Sequence, residues 1–131
     1  LSGYLAFGVQ LTSNKNLHGE AYNFGPQSRQ NHSVRDLIEE MRYYWDSVSW
    51  NDVSDSQEHL PESGLLKLNC DKALFDLKWQ PTLEFKETVR MTVEWYKHFY
   101  KNSSQSMYNF TMSQIEEYTQ MAKERKLPWA T

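Results

Sequence analysis

Residues 58–81, EHLPESGLLKLNCDKALFDLKWQP, constrain this chain more than any other stretch, because the hydrophobic pattern changes period twice inside them. Glu58, His59, Pro61, Glu62 and Gly64 are turn residues, and the run Leu65-Leu66-Lys67-Leu68 that follows predicts a short strand. Ala73, Leu74 and Leu77 then recur at helical spacing, with Asn69 placed to cap the helix and Trp79 and Pro81 to stop it. Polar side chains gathered before a strand-to-helix turn are a common place for a ligand, since loops held by rigid elements carry most binding residues.

The rest of the pattern is largely helical. Tyr4, Leu5, Phe7, Gly8 and Leu11 read as an amphipathic helix already under way at the first residue, as expected for a piece of a longer protein. Glu20 to Phe24 predicts a strand ended by Gly25-Pro26, with Asn23 its polar member. Ser33 and Asp36 form a capping box ahead of a helix whose apolar face is Val34, Leu37, Ile38, Met41 and Trp45. Ser49 to Val53 predicts a third short strand. Thr82 is placed to cap a long helix with the stripe Phe85, Val89, Val93, Tyr96, Tyr100. Thr111 with Gln114, and Phe110 with Ile115, read as a capping box and a hydrophobic staple opening a last helix that ends at Leu127-Pro128. The expected class is an α+β fragment, mainly helical with two or three short strands. Residues 1–101 form one subdomain, and residues 102–131 a linker and an appended helix.

Several functions are excluded or made remote by composition. Seventeen acidic against fourteen basic side chains, for a net charge of −3, leave little to attract a phosphate backbone, so nucleic acid is not an expected partner. A single cysteine, Cys70, allows no internal disulfide and fits a reducing, cytoplasmic setting. No apolar run reaches the roughly 18–20 residues of a membrane helix. The five glycines stand apart, so neither a dinucleotide fingerprint nor a phosphate-binding loop can be written, and Tyr118 and Lys123 lie five apart rather than four.

His59 and Glu62 carry the chemistry that remains. A zinc site from this pair, with or without His32, lacks the third ligand that catalytic zinc needs, and a nucleophile at Ser63 or Cys70 has still less support. Without catalysis, an imidazole N–H suits a phosphate oxygen and a carboxylate suits the two hydroxyls of a ribose. The plainer alternative is a solvated turn bonded to itself, which residue types alone favour about two to one, since loops are rich in such residues.

Ala21-Tyr22-Asn23-Phe24-Gly25-Pro26, the Ser33 helix, Leu66-Lys67-Leu68-Asn69-Cys70-Asp71-Lys72-Ala73, Leu77-Lys78-Trp79-Gln80-Pro81 and Thr92-Val93-Glu94-Trp95-Tyr96 together resemble a known pattern. It is that of the C-terminal part of the extended short-chain dehydrogenase/reductase enzymes acting on nucleotide sugars. Within that family the chain is most similar to the CDP-glucose 4,6-dehydratases, through Glu58, His59, Glu62, Leu66, Lys67, Leu68, Cys70, Lys72 and Ala73. The resemblance covers Leu1 to about Lys101. It implies the C-terminal, substrate-binding half of an α/β Rossmann-type enzyme, whose N-terminal half holds NAD and the catalytic Tyr and Lys. The implied reaction is oxidation at C4, loss of water across C5 and C6, and return of hydride to C6.

On this reading the fragment is inactive alone and binds no NAD, its partners being CDP-glucose and the missing N-terminal Rossmann half. His59 takes the place of an arginine on the diphosphate, Glu62 that of an acid on the ribose, and Asn23 is a weaker substrate contact. Two departures stand out: Lys78 replaces the usual Gly, and Leu60-Pro61 replaces Pro-His, which bears on the preference for cytidine. The alternatives are a dehydratase or epimerase for another nucleotide sugar, or a non-enzymatic helical interaction module.

Overall fold

A computed structural model describes residues 1–51, 68–101 and 107–130. The described residues form five helices, α1 (Ser2–Leu11), α2 (Val34–Tyr44), α3 (Asp71–Leu77), α4 (Phe85–Lys101) and α5 (Met107–Glu124), with 3-10 turns at Lys15–Leu17 and Pro128–Ala130.

None of the described residues is in a β-strand, which overturns the expected α+β class in favour of a helical one. The expected strand at 20–24 has no ladder partner among the described residues, and a strand exists only through hydrogen bonds to a neighbour. Its groups are met otherwise. The Glu20 N–H donates to the Leu17 carbonyl at 3.2 Å, and the Lys72 ammonium donates to the Ala21 carbonyl at 3.2 Å. The alternation that suggested a strand does bury side chains: Tyr22 meets Phe7 edge to face at 5.0 Å, and Phe24 meets Tyr4 at 5.4 Å and Trp79 at 4.9 Å. Residues 49–51 and 68 are irregular, and the remainder of the other two expected strands lies outside the described residues.

The first core joins α1, α3 and the segment between them. Leu17, Ala73, Leu77 and Trp79 are buried, and Ala6, Phe7, Leu11, Tyr22 and Phe24 close around them. Gly3 sits so close to the Phe24 ring that any side chain there would collide with it. Only one face of α1 is used. Tyr4, Leu5 and Val9 stay about 70% exposed, so the helix is apolar on both sides rather than amphipathic as its spacing predicted.

The second core lies between α2, α4 and α5. Val89, Met91 and Val93 of α4 are buried, while Tyr96 and Tyr100, expected to extend the stripe, are largely exposed. The capping box of α2 forms as expected: the Asp36 N–H donates to Ser33 Oγ at 3.1 Å and the Ser33 N–H to Asp36 Oδ2 at 2.7 Å. At the other end of α2, the Lys97 ammonium donates to the Tyr44 carbonyl at 2.7 Å.

Three caps differ from expectation. Thr82 does not cap α4; its hydroxyl is buried without a partner, while the Glu84 N–H donates to Glu87 Oε2 at 2.8 Å as half of a capping box. Asn69 acts one residue outside α3, where its Oδ1 accepts the Asp71 N–H at 2.8 Å. Thr111 and Gln114 lie inside α5, which begins at Met107, so they open nothing. They fasten α5 to α4 instead: Trp95 Nε1–H donates to Thr111 Oγ1 at 3.0 Å and Gln114 Nε2 to the Met91 carbonyl at 2.8 Å. Arg90 bonds Glu117, and Arg125 bonds Glu87 at 2.6 Å and the Thr82 carbonyl, so both helices are clamped along their length. α5 thus packs along α4, burying Ala122.

Candidate functional site

Of the residues singled out from sequence, His59 and Glu62 lie outside the described residues, as does Ser63. Asn23 is described and exposed. Its Nδ2 donates to the Asn69 carbonyl at 3.4 Å, tying the extended segment 20–24 to the residues entering α3. His18 and His32 stay apart: His18 Nε2 lies 3.1 Å from the Leu11 carbonyl, and His32 stacks on Phe85 at 3.7 Å.

A hollow of ≈ 500 Å³ lies where three connections meet. The loop after Gly25 supplies Pro26, Gln27 and Ser28, the approach to α3 supplies Leu68, Asn69 and Asp71, and the exit from α3 supplies Trp79 and Gln80. Each wall is set by a local device. The loop is pinned to the start of α4 because Glu84 accepts from Arg29 at 2.8 Å and from the Gln30 amide. The approach is set by the Asn69 turn, with Asn69 Nδ2 donating to Asp71 Oδ2 at 3.3 Å. The exit is set by Lys78, whose φ of 54° turns the chain so that Trp79 N–H returns to the Ala73 carbonyl at 3.2 Å.

Two described groups near the hollow have shifted titration. Burial pushes the Cys70 thiol up, with the Asp71 carboxylate adding to it against an opposing backbone hydrogen bond from Gly25, so a reactive thiolate is disfavoured. Burial, then the Asp76 carboxylate that accepts its proton at 2.9 Å, holds the Tyr22 phenol up to about 12, which rules it out as a proton-transfer group at neutral pH. No group of three or more His, Cys, Asp or Glu among the described residues could hold a metal. No described helix is long and apolar enough to cross a membrane.

The glycines likewise leave no dinucleotide cradle among the described residues. Gly3 is packed on Phe24, a side chain at Gly25 would meet Cys70 Sγ in ordinary contact, and Gly19 serves a turn at φ 82°. Gly8 sits in open space within α1.

Comparison with known proteins returns the likeness that the motifs gave. Over 98 residues the chain is 34% identical to CDP-glucose 4,6-dehydratase of Salmonella typhimurium. This chain is similar to that dehydratase over 74% of its length. It spans only 27% of the dehydratase, as a portion of such an enzyme would. No family model matches, and no solved structure does. Sequence reading missed Gln27 and Gln80 as lining residues, because they are 53 positions apart and Gln80 stood out only as part of the Leu77–Pro81 pattern, not as a polar contact.

Proposed function

We propose that this chain is the nucleotide-sugar-binding portion of an NAD-dependent 4,6-dehydratase that converts CDP-glucose to CDP-4-dehydro-6-deoxyglucose. The similarity to CDP-glucose 4,6-dehydratase carries the reading. The exposed apolar side of α1 supports it, since a helix apolar all round belongs inside a larger body. The larger body is an N-terminal Rossmann half, which supplies the dinucleotide site that the glycines here do not build.

Within this portion the work is binding. The His59 imidazole donates to a diphosphate oxygen, and the Glu62 carboxylate accepts from both ribose hydroxyls, which charge assistance makes stronger than neutral pairing. Asn23 holds the neighbouring backbone at Asn69 in place. NAD, held elsewhere in the full enzyme, supplies hydride acceptance, and no proton or hydride step falls to the residues here. The portion alone is therefore catalytically silent.

Titration of the chain with CDP, UDP and GDP by calorimetry or NMR tests this. CDP binds in preference to the other two, and Glu62→Ala weakens it by about tenfold or more, the loss of a charged hydrogen bond. Equal silence toward all three nucleotides overturns the reading and favours a helical interaction module.

A further inference from the structure

The hollow between residues 26–28, 68–71 and 79–81 has a chemistry that recognition of a nucleoside diphosphate leaves unused. Gln27 and Gln80 stand on two of its walls, both half-buried, and neither side-chain amide has a hydrogen-bond partner among the described residues. A carboxamide offers two donors and an acceptor, which at a partly exposed site a ligand can engage in exchange for solvent. Among the described residues the Asp71 side chain on the third wall accepts from Asn69 Nδ2, which leaves it further acceptor capacity toward them. Among the described residues no Lys, Arg or His lines the hollow, and its described polar groups are amides, a hydroxyl and the Asp71 carboxylate.

Three properties narrow the ligand. Donor and acceptor side by side on each amide match a hydroxyl, which both donates and accepts. Trp79 is only 6% exposed and meets Phe24 edge to face, so no open ring is available to stack a flat base. Leu68 and Leu74, each about half exposed, add an apolar wall suited to the C–H face of a sugar ring. The volume of ≈ 500 Å³ lies within the range of about 300–1,000 Å³ typical of small-molecule sites. We propose that this hollow binds a neutral sugar through the paired amides of Gln27 and Gln80. The proposal does not rest on His59 or Glu62.

The test is ¹H–¹⁵N NMR on the 131-residue chain with glucose, maltose, cytidine and inorganic phosphate added separately. Glucose is expected to shift the Gln27 and Gln80 side-chain NH₂ signals saturably in the millimolar range, with phosphate giving no shift there. Gln27→Ala and Gln80→Ala each weaken the response about fivefold, the worth of one hydrogen bond. These amides bond nothing else in the described structure, so both variants keep the wild-type spectrum elsewhere. Tighter binding of maltose assigns a chain of sugars, and equal binding a single ring. No saturable shift with either sugar, a shift unchanged in the double variant, or cytidine binding more tightly at the same signals overturns the proposal. CDP titrated into the double variant keeps the two readings separate: Glu62-dependent CDP binding fails or survives independently of the sugar response.

Discussion

Lys78 gives the sharpest test of how the fold is held. It ends α3 at φ 54° and ψ 25°, a left-handed conformation in which a side chain costs about 1–2 kcal/mol and glycine almost nothing. Lys78 offsets part of this cost, since its ammonium donates to the Phe75 carbonyl at 2.8 Å and lies 5.1 Å over the Phe75 ring. Those contacts are exposed and contribute on the order of 0.5–1 kcal/mol. Lys78→Ala loses them and keeps the backbone cost, so it destabilises by about 0.5–1 kcal/mol. Lys78→Gly loses them too but relieves the backbone, less about 0.5–1 kcal/mol for glycine's greater unfolded entropy. Glycine should therefore match lysine and exceed alanine by about 0.5–1 kcal/mol. At an ordinary helical position alanine wins by about the same amount, so the order of the two variants reverses. Urea unfolding followed by circular dichroism reads the difference, which corresponds to roughly 2–5 °C in midpoint for a chain of this size. Alanine equal to or above glycine would show that the chain does not turn left-handed there.

Three further outcomes follow from packing and charge. Gly3→Ala should destabilise by about 1–3 kcal/mol in chemical unfolding despite a helix-propensity gain of about 1 kcal/mol, because the added methyl meets the Phe24 ring; a stabilised variant would refute that contact. Thr82→Val should raise stability by about 1 kcal/mol, since the buried hydroxyl has no partner and valine has nearly the same shape; a loss of that size would mean the hydroxyl is bonded. The hydrogen bond from Arg125 holds the Glu87 carboxyl below its usual range. Its folded value is depressed, so its contribution is complete above the unfolded pKa and is lost as pH falls through the folded one, in the region below 4.5. Both side chains are about a third exposed, which limits the effect to about 0.5–1 kcal/mol. The protection of α5 amides, exchange being compared with its intrinsic rate at each pH, should fall in acid, and Glu87→Gln should flatten that response; an unchanged slope would remove the pair from the account.

Where the sequence read well, the signal was local. The Ser33–Asp36 capping box depends on residues three apart, and the helix it opens forms as expected. α4 was legible because Val89 and Val93 recur at helical spacing on a buried face. The strand at 20–24 failed because alternation records which side chains are buried, and Tyr22 and Phe24 are packed inward. It says nothing of whether a second strand lies alongside. Thr111 and Gln114 failed for a related reason. The pattern of a capping box is a pair of hydrogen-bonding side chains three apart, and inside α5 the same pair reaches α4 through Trp95 and Met91.

The functional residues divide along the same line. His59 and Glu62 drew notice because they are close in sequence and chemically suited to a nucleotide. Gln27 and Gln80 are 53 positions apart, and what brings them to one hollow is the closure of two loops on α3. That closure depends on residues that look incidental in one dimension. Glu84 draws in the loop through Arg29 and Gln30, and Lys78 takes the turn that lets Trp79 and Gln80 face it. A left-handed lysine held at a cost, where the related enzymes are expected to carry glycine, thus bears directly on the hollow's shape. Replacing Lys78 with glycine should leave the hollow's walls where they are, because glycine reaches the same φ and ψ with less strain.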